Sequence, residues 1–519
     1  MKLKLDSRQS PGAVFLLPKR KKDVHSCPVV VLRYAQLRAL HRAYTIDVAM
    51  LREGITFDDV LLVPRRSRVF SRKDVDTRSL LSKNILLNIP LISANMDTVT
   101  EACMARAMAE SGGIGIVHRF LSIEKQVAEV RAVKRAENVI IEDPITAHPD
   151  VTIGEVRLLM KQESISSVLV VDGKQKLVGI LTSRDLLFEG DNSLKIGAVM
   201  TKNVITARPD VSWEKASALL HKHRIEKLPL TTKSGAVAGL ITLKDIVKKL
   251  NNPLAAKDKK GRLLVGAAVG VKDDTLERAG KLLTAGADVI VIDIAHGHNE
   301  RVLETTRLLR KKFGEKIEII GGNIATPEAA KDLIRAGVDG LKVGIGPGAA
   351  CTTRGVTGVG VPQLTAVADV VKVAKKHNIP VIADGGVKNS GSFSKALAAG
   401  ASSVMIGSLL AGCKESPGAY IMDRGVAYKI YRGMASYEAG SEKAQIDGGA
   451  DGFARSPEGA SGRVAYKGEA SMVLADLVGG LRSSMSYLGA RTLKEFHKNA
   501  EFIRITNAGV EESRPHGVE

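Results

Sequence analysis

Residues 317–348 read IEIIGGNIATPEAAKDLIRAGVDGLKVGIGPG. A short aliphatic run is followed by a helical stretch at 326–337 and then by a second aliphatic run. Short, β-branched runs of this kind suit buried parallel strands. The pattern continues on both sides. Apolar runs stand at 90–97 (PLISANMD), 112–119 (GGIGIVHR), 263–270 (LLVGAAVG), 289–297 (VIVIDIAHG), 380–386 (PVIADGG) and 403–408 (SVMIGS). With 317–325 and 340–348 these make eight runs, most of them separated by helical segments. Eight βα units predict an α/β chain folded as a (β/α)8 TIM barrel, in preference to an open doubly wound sheet.

Between the second and third runs lies an internal repeat. ITAHPDV at 145–151 recurs as ITARPDV at 205–211, and VGILTSRD at 178–185 recurs as AGLITLKD at 238–245. Both offsets are 60 residues. Each copy reads as strand, helix, β-hairpin and a helix opened at Thr182 or Thr242. Thr182 followed by Asp185 resembles a capping box with Asp in place of Glu. The pair resembles tandem CBS domains, and that resemblance implies adenine or guanine nucleotides as ligands. The expected organisation is a basic extension at 1–49, barrel at 50–140, repeats at 141–198 and 199–252, and the rest of the barrel at 253–519.

The leader carries Lys19-Arg20-Lys21-Lys22 and no sustained period. It reads either as a tail or as an upstream extension with Met50 as the true start. The lack of a signal-peptide h-region favours the second reading. The whole chain has a formal net charge of +20, which attracts acidic ligands or simply solvates the surface. Aromatics are only 4%, and no nucleic-acid-binding motif is present. Four cysteines at 27, 103, 351 and 413 form no CxxC pair, which favours a reducing cytoplasm over a disulfide framework or a zinc ribbon. No apolar run is long enough to span a membrane.

In a TIM barrel the chemistry sits at the C-terminal strand ends. The sixth run continues as GIGPGAACTTR, 344–354. Glycines let the backbone approach a ligand, and Thr352, Thr353 and Arg354 give Cys351 a polar setting that favours thiolate. The seventh and eighth runs end in Asp384-Gly385-Gly386 and Gly407-Ser408, where loops frequently bind phosphate. Asp384 would repel phosphate and suits a sugar hydroxyl. The fourth run ends in Asp293-Ile294-Ala295-His296-Gly297, and Asp293 suits a ribose hydroxyl as well. No His/Glu/Asp cluster has metal-ligand spacing, and the glycine loops do not fit a P-loop.

GIGPGAACTTRGVTGVGVPQ resembles the catalytic loop of the IMP dehydrogenase and GMP reductase family. SANMDTVTE (93–101), GGN (321–323), ADGG, MIGS, YRGM (431–434), PEG (457–459) and AGVEESRPH follow in the family's order. The resemblance implies that Cys351 adds to C2 of IMP, that hydride passes to NAD, and that water hydrolyses the resulting thioimidate to XMP with help from Thr353. It implies substrate contacts at Ser93, Met96, Asn323, Arg354, Asp384, Gly385, Gly386, Gly407, Ser408, Tyr431, Gly433, Met434 and Glu458. NAD contacts are implied at Asp293, Gly344, Ile345 and Gly346. A monovalent cation, K+, is implied at the carbonyls of Gly346, Gly348 and Cys351. Glu512, Ser513 and Arg514 of a neighbouring subunit complete that site, which implies a homotetramer or octamer.

Three positions depart from the family pattern. Ala349 stands where the family usually has Ser. The flap lacks an Arg-Tyr pair, leaving Arg455 as the arginine that could serve as base. Glu512-Ser513-Arg514 replaces Glu-Ser-His. The flap keeps open a second reading, NADPH-dependent deamination of GMP to IMP. A nucleotide-sensing regulatory protein on a degenerate barrel is a third, and the intact Cys351 loop argues against it.

Overall fold

A computed structural model describes residues 51–136, 141, 143–163, 165–446 and 456–515. The basic extension at 1–49 and Arg455 lie outside the described residues.

Each of the eight apolar runs forms a strand. They are β1 (Leu91–Ser93), β2 (Ile114–Val117), β3 (Val265–Val269), β4 (Val289–Asp293), β5 (Glu318–Ile324), β6 (Gly340–Val343), β7 (Val381–Asp384) and β8 (Ser403–Ile406). All pair in parallel, and the sheet closes through Leu91↔Val404 and Gly115↔Val265. The unit quoted first shows how the sequence builds this. Thr326 caps the helix Pro327–Ala336 by accepting from the Ala329 N–H, and Pro327 sits in the first turn. Gly337 ends it in the left-handed region at φ 102°. The helix buries Ala329, Ala330, Leu333 and Ala336 against the sheet.

Strand parity divides the barrel into two cores. Ile290 and Ile292 of β4 pack outward under the helices, while Val289 and Val291 point inward with Ile320, Ile382 and Met405. Continuing that alternation turns Asp293 and Asp384 inward at the barrel mouth. In β6, Leu341 and Val343 point outward, so Lys342 points inward. The other end of the barrel is closed by the hairpin Ser79–Leu80 and Leu86–Leu87, whose Leu81 and Leu87 are fully buried.

The repeat is equally visible in packing. One core contains Val156, Met160, Val168, Val170, Leu181 and Leu186. The other contains Ala216, Leu220, Leu228, Leu230, Ile241 and Ile246, each 60 positions later. The capping box at Thr182 and Asp185 is formed in full. The copies exchange their leading residues: Ile141 bridges to Leu240 of the second hairpin, and Thr201 bridges to Ile180 of the first. The two hairpins meet at Lys176↔Ala236. The two repeats therefore interlock through their leading segments and their hairpins. At the junction with the barrel, Lys134, before the repeats, pairs with Asp258, after them, at 3.1 Å.

Candidate active site

The loop after β6 reaches the barrel mouth only because glycine occupies two crowded positions. A Cβ on Gly344 would lie 2.0 Å from the Asp384 carbonyl oxygen, and one on Gly346 would lie 2.5 Å from the Arg354 side chain. The loop is then pinned to the segment at 458–460. Thr352 N–H donates to the Glu458 carbonyl at 2.9 Å, and Ala460 N–H donates to that of Ala350 at 2.9 Å. This pairing sets three side chains in line. The Cys351 thiol donates to Thr353 Oγ1 at 3.2 Å, and Thr353 donates to Glu458 Oε2 at 2.8 Å. A proton on sulfur therefore has a two-bond path to a carboxylate.

These residues open onto a cavity of about 280 Å³. Met96, Asp293, Asn323, Gly344, Ile345, Gly346, Gly348, Asp384, Gly385, Tyr431, Gly433 and Met434 line it too. An adjoining cavity of about 130 Å³ shares Met96, Gly348, Asp384, Gly385 and Tyr431, and adds Gly386, Gly407 and Ser408. The Tyr431 phenol is pushed up to about 12, first by burial, then by Asp384 and Cys351. It stays protonated at neutral pH and can donate to an anion.

Some candidate residues lie elsewhere. Ser93 is fully buried and accepts from Thr100 Oγ1 at 2.8 Å. Its neighbour Ile92 points into the barrel, so parity turns Ser93 toward the outer helices, and Ala94 lines the cavity instead. Arg354 folds back on its own loop, with Nη2 3.3 Å from the Ile345 carbonyl and 2.5 Å from that of Val361. It braces the loop and lines neither cavity. Glu512, Ser513 and Arg514 also line neither; Ser513 donates to the Gly509 carbonyl and Arg514 pairs with Glu511.

Lys342 was not anticipated. It lines the cavity floor with its side chain 2% exposed. Its ammonium lies 2.7 Å from Asp293 Oδ1 and 3.2 Å from Asp384 Oδ2, and also donates to Asn323 Oδ1. Asn323 Nδ2 returns a bond to Asp384 Oδ2 at 2.9 Å. Burial opposes charge on Lys342, but Asp293 and Asp384 raise its pKa above the usual lysine range. Burial likewise opposes charge on Asp293, yet Lys342 and then Arg119 hold its carboxyl below the usual range. Arg119, at the end of the second apolar run, and its neighbour Phe120 also line the cavity. The buried Arg119 Nε has no hydrogen-bond partner among the described residues.

The model of the IMP dehydrogenase / GMP reductase domain matches residues 54–516. The chain belongs to that family. Relatives agree along nearly their whole length. The inosine-5'-monophosphate dehydrogenase of Nitrosopumilus maritimus is 53% identical over 472 residues, covering 90% of this chain and 99% of that protein. The enzyme of the same name from Bacillus subtilis is 50% identical over 474 residues, covering 90% of this chain and 96% of that one. Among solved structures, a GMP reductase variant from Trypanosoma brucei in complex with guanosine 5'-monophosphate superposes with a TM-score of 0.84 at 45% identity. That match covers 91% of this chain and 99% of the reductase. The family assignment and the closed eight-stranded barrel agree with the expectations drawn from the glycine-rich Cys351 loop and the eight apolar runs. Among the described residues no helix is long and apolar enough to cross a membrane.

Proposed function

We propose that the chain oxidises IMP to XMP with NAD as hydride acceptor. The observation that carries this reading is the Cys351–Thr353–Glu458 relay at the edge of a two-lobed cavity, joined by identity of about half the residues to curated IMP dehydrogenases. Cys351 sulfur bonds to C2 of the purine as its proton passes through Thr353 toward Glu458. NAD held by Asp293 and the segment Gly344–Gly346 would supply the acceptor for the hydride that leaves C2. Glu458 releases the thiol proton to solvent. Water then opens the thioimidate on Cys351, passing its own proton to Glu458. The C–S bond breaks to release XMP and a thiolate that is reprotonated through Thr353. A covalent adduct divides one difficult displacement into two steps.

The cavity supports this assignment of substrate parts. Asp384 accepts from the nucleotide ribose, and the lobe with Gly386, Gly407, Ser408 and Tyr431 takes the phosphate. Asp293 and the segment Gly344–Gly346 face the dinucleotide. Arg119 Nε, without a hydrogen-bond partner among the described residues, suits an acidic or carbonyl group there. Carbonyls of Gly346, Gly348 and Cys351 would hold K+, with Glu512, Ser513 and Arg514 supplied by a neighbouring subunit of a homotetramer. The interlocked repeats at 141–252 would bind adenine or guanine nucleotides as CBS domains do. Scattered cysteines fit the cytoplasm.

Purified protein given IMP, NAD+ and K+ should generate NADH absorbance. The solved GMP reductases favour one second reading, reductive deamination of GMP. NADPH consumption with GMP, and no NADH from IMP, would establish it in place of the first.

A further inference from the structure

A lysine inside a barrel of isoleucine and valine calls for a cause. At the neighbouring inward positions the barrel is filled by Val289, Val291, Ile320, Ile382 and Met405. Burying an ammonium carries a large desolvation cost, and a well-packed apolar side chain commonly serves stability as well or better. Stability therefore does not explain Lys342. Its surroundings point to the pocket. The side chain is 2% exposed, while those of its partners Asp293 and Asp384 are 21% and 22% exposed toward the cavity. One carboxylate ends β4 and the other ends β7, so they approach from different sides of the mouth. A single ammonium reaches both, and Asn323 closes the ring between Lys342 and Asp384. Arg119 and Asn95 face the Asp293 side, and Tyr431 and Cys351 face the Asp384 side.

We propose that Lys342 is a positioning residue common to both substrates, fixing Asp384 for the ribose of the nucleotide and Asp293 for the ribose of the dinucleotide. This rests on the reading of the two carboxylates given under the proposed function. The two hydroxyl acceptors are then not independent. Both depend on one cation that touches neither ligand, and both carboxylates would crowd a shared floor without it. Loss of that cation weakens recognition of both substrates together, whereas loss of either carboxylate acts chiefly on its own.

The test is steady-state kinetics of Lys342→Met and Lys342→Arg beside the wild type, with folding checked by thermal melting. The neutral variant should raise KM for IMP and for NAD by about tenfold or more each, with kcat changed by less than about fivefold. The arginine variant keeps the charge and should bring both KM values back to within about threefold of wild type. Should the methionine variant fail to fold, Lys342→Gln reads the same split. A neutral variant that changes only one KM, or neither, overturns the proposal. An arginine variant no better than the neutral one overturns it as well. If the wild type itself does not oxidise IMP, the functional reading fails instead, and KM values for GMP and NADPH supply the same comparison.

Discussion

The relay from Cys351 to Glu458 makes a quantitative prediction, because its two bonds lie in series through one hydroxyl. Thr353→Val removes both the 3.2 Å contact to sulfur and the 2.8 Å contact to the carboxylate while keeping the side chain's shape. Hydrogen bonds to charged groups contribute about 1.5–3 kcal/mol. If that is lost mainly in the transition state, kcat falls about 10- to 150-fold, since about 1.4 kcal/mol is a factor of ten. Glu458→Gln keeps a hydrogen-bond partner for Thr353 but removes the proton acceptor, and should cost a similar factor. The two changes interrupt one path, so the double variant should be no worse than the poorer single variant. Thermal melting should move little, because Glu458 opens to the cavity and water can replace the lost hydroxyl. The assay is NADH production under saturating IMP and NAD+, with each protein's melting curve as control. Fully multiplicative losses in the double variant would refute the series arrangement, as would single variants within threefold of wild type.

Other outcomes follow from particular contacts. Burial, and then Glu415, push the Cys413 thiol up to about 11 from 9.0. Iodoacetamide at pH 8 should therefore label Cys351 and spare Cys413, as peptide mapping would show. A raised folded-state pKa means this thiol leaves stability untouched below about pH 9. Stability is then lost between about pH 9 and 11, by about 3 kcal/mol; Cys413→Ala should remove that part of the alkaline slope in melting experiments. Gly344→Ala would place a methyl 2.0 Å from the Asp384 carbonyl, so the loop must move; turnover should drop at least about 100-fold, since small misplacements at a reacting centre have effects of that size. Replacing residues 141–252 with a short linker should leave IMP turnover within about fivefold of the full chain, because Lys134 and Asp258 hold the two stumps together.

The barrel was legible because a strand buried on both faces must be apolar throughout, and each such run is bounded by residues that cannot continue it. The repeat was legible for a related reason, since equivalent core positions recur at a fixed spacing, as in Val168 and Leu228. The candidate site was readable where cavity-lining side chains end a strand, as with Asp293 and Asp384, or follow one on a glycine-rich loop, as with Cys351. It was less readable where parity decides direction. Ser93 and Ala94 are adjacent, yet only the second faces the cavity, and that follows from which way Ile92 points. Arg354 is adjacent to the relay in sequence but turns back toward carbonyls of its own loop, a choice set by loop geometry. Lys342 stands in the middle of an apolar run, where its neighbours mask it. A charged residue at an inward parity position is the signal that would have found it. Arg119 ends the second run, so the strand-end rule that marks Asp293 marks it too. The C-terminal segment offers no comparable guide, because its expected partner is another subunit.

Everything in the proposed chemistry passes through a bond between Cys351 and a purine carbon, so trapping that bond is the most direct measurement. Protein mixed with IMP and NAD+ and quenched in acid during turnover should carry a nucleotide on the peptide containing Cys351, at a level approaching one per chain. Steady NADH formation with no nucleotide on that peptide at any quench time would contradict the account.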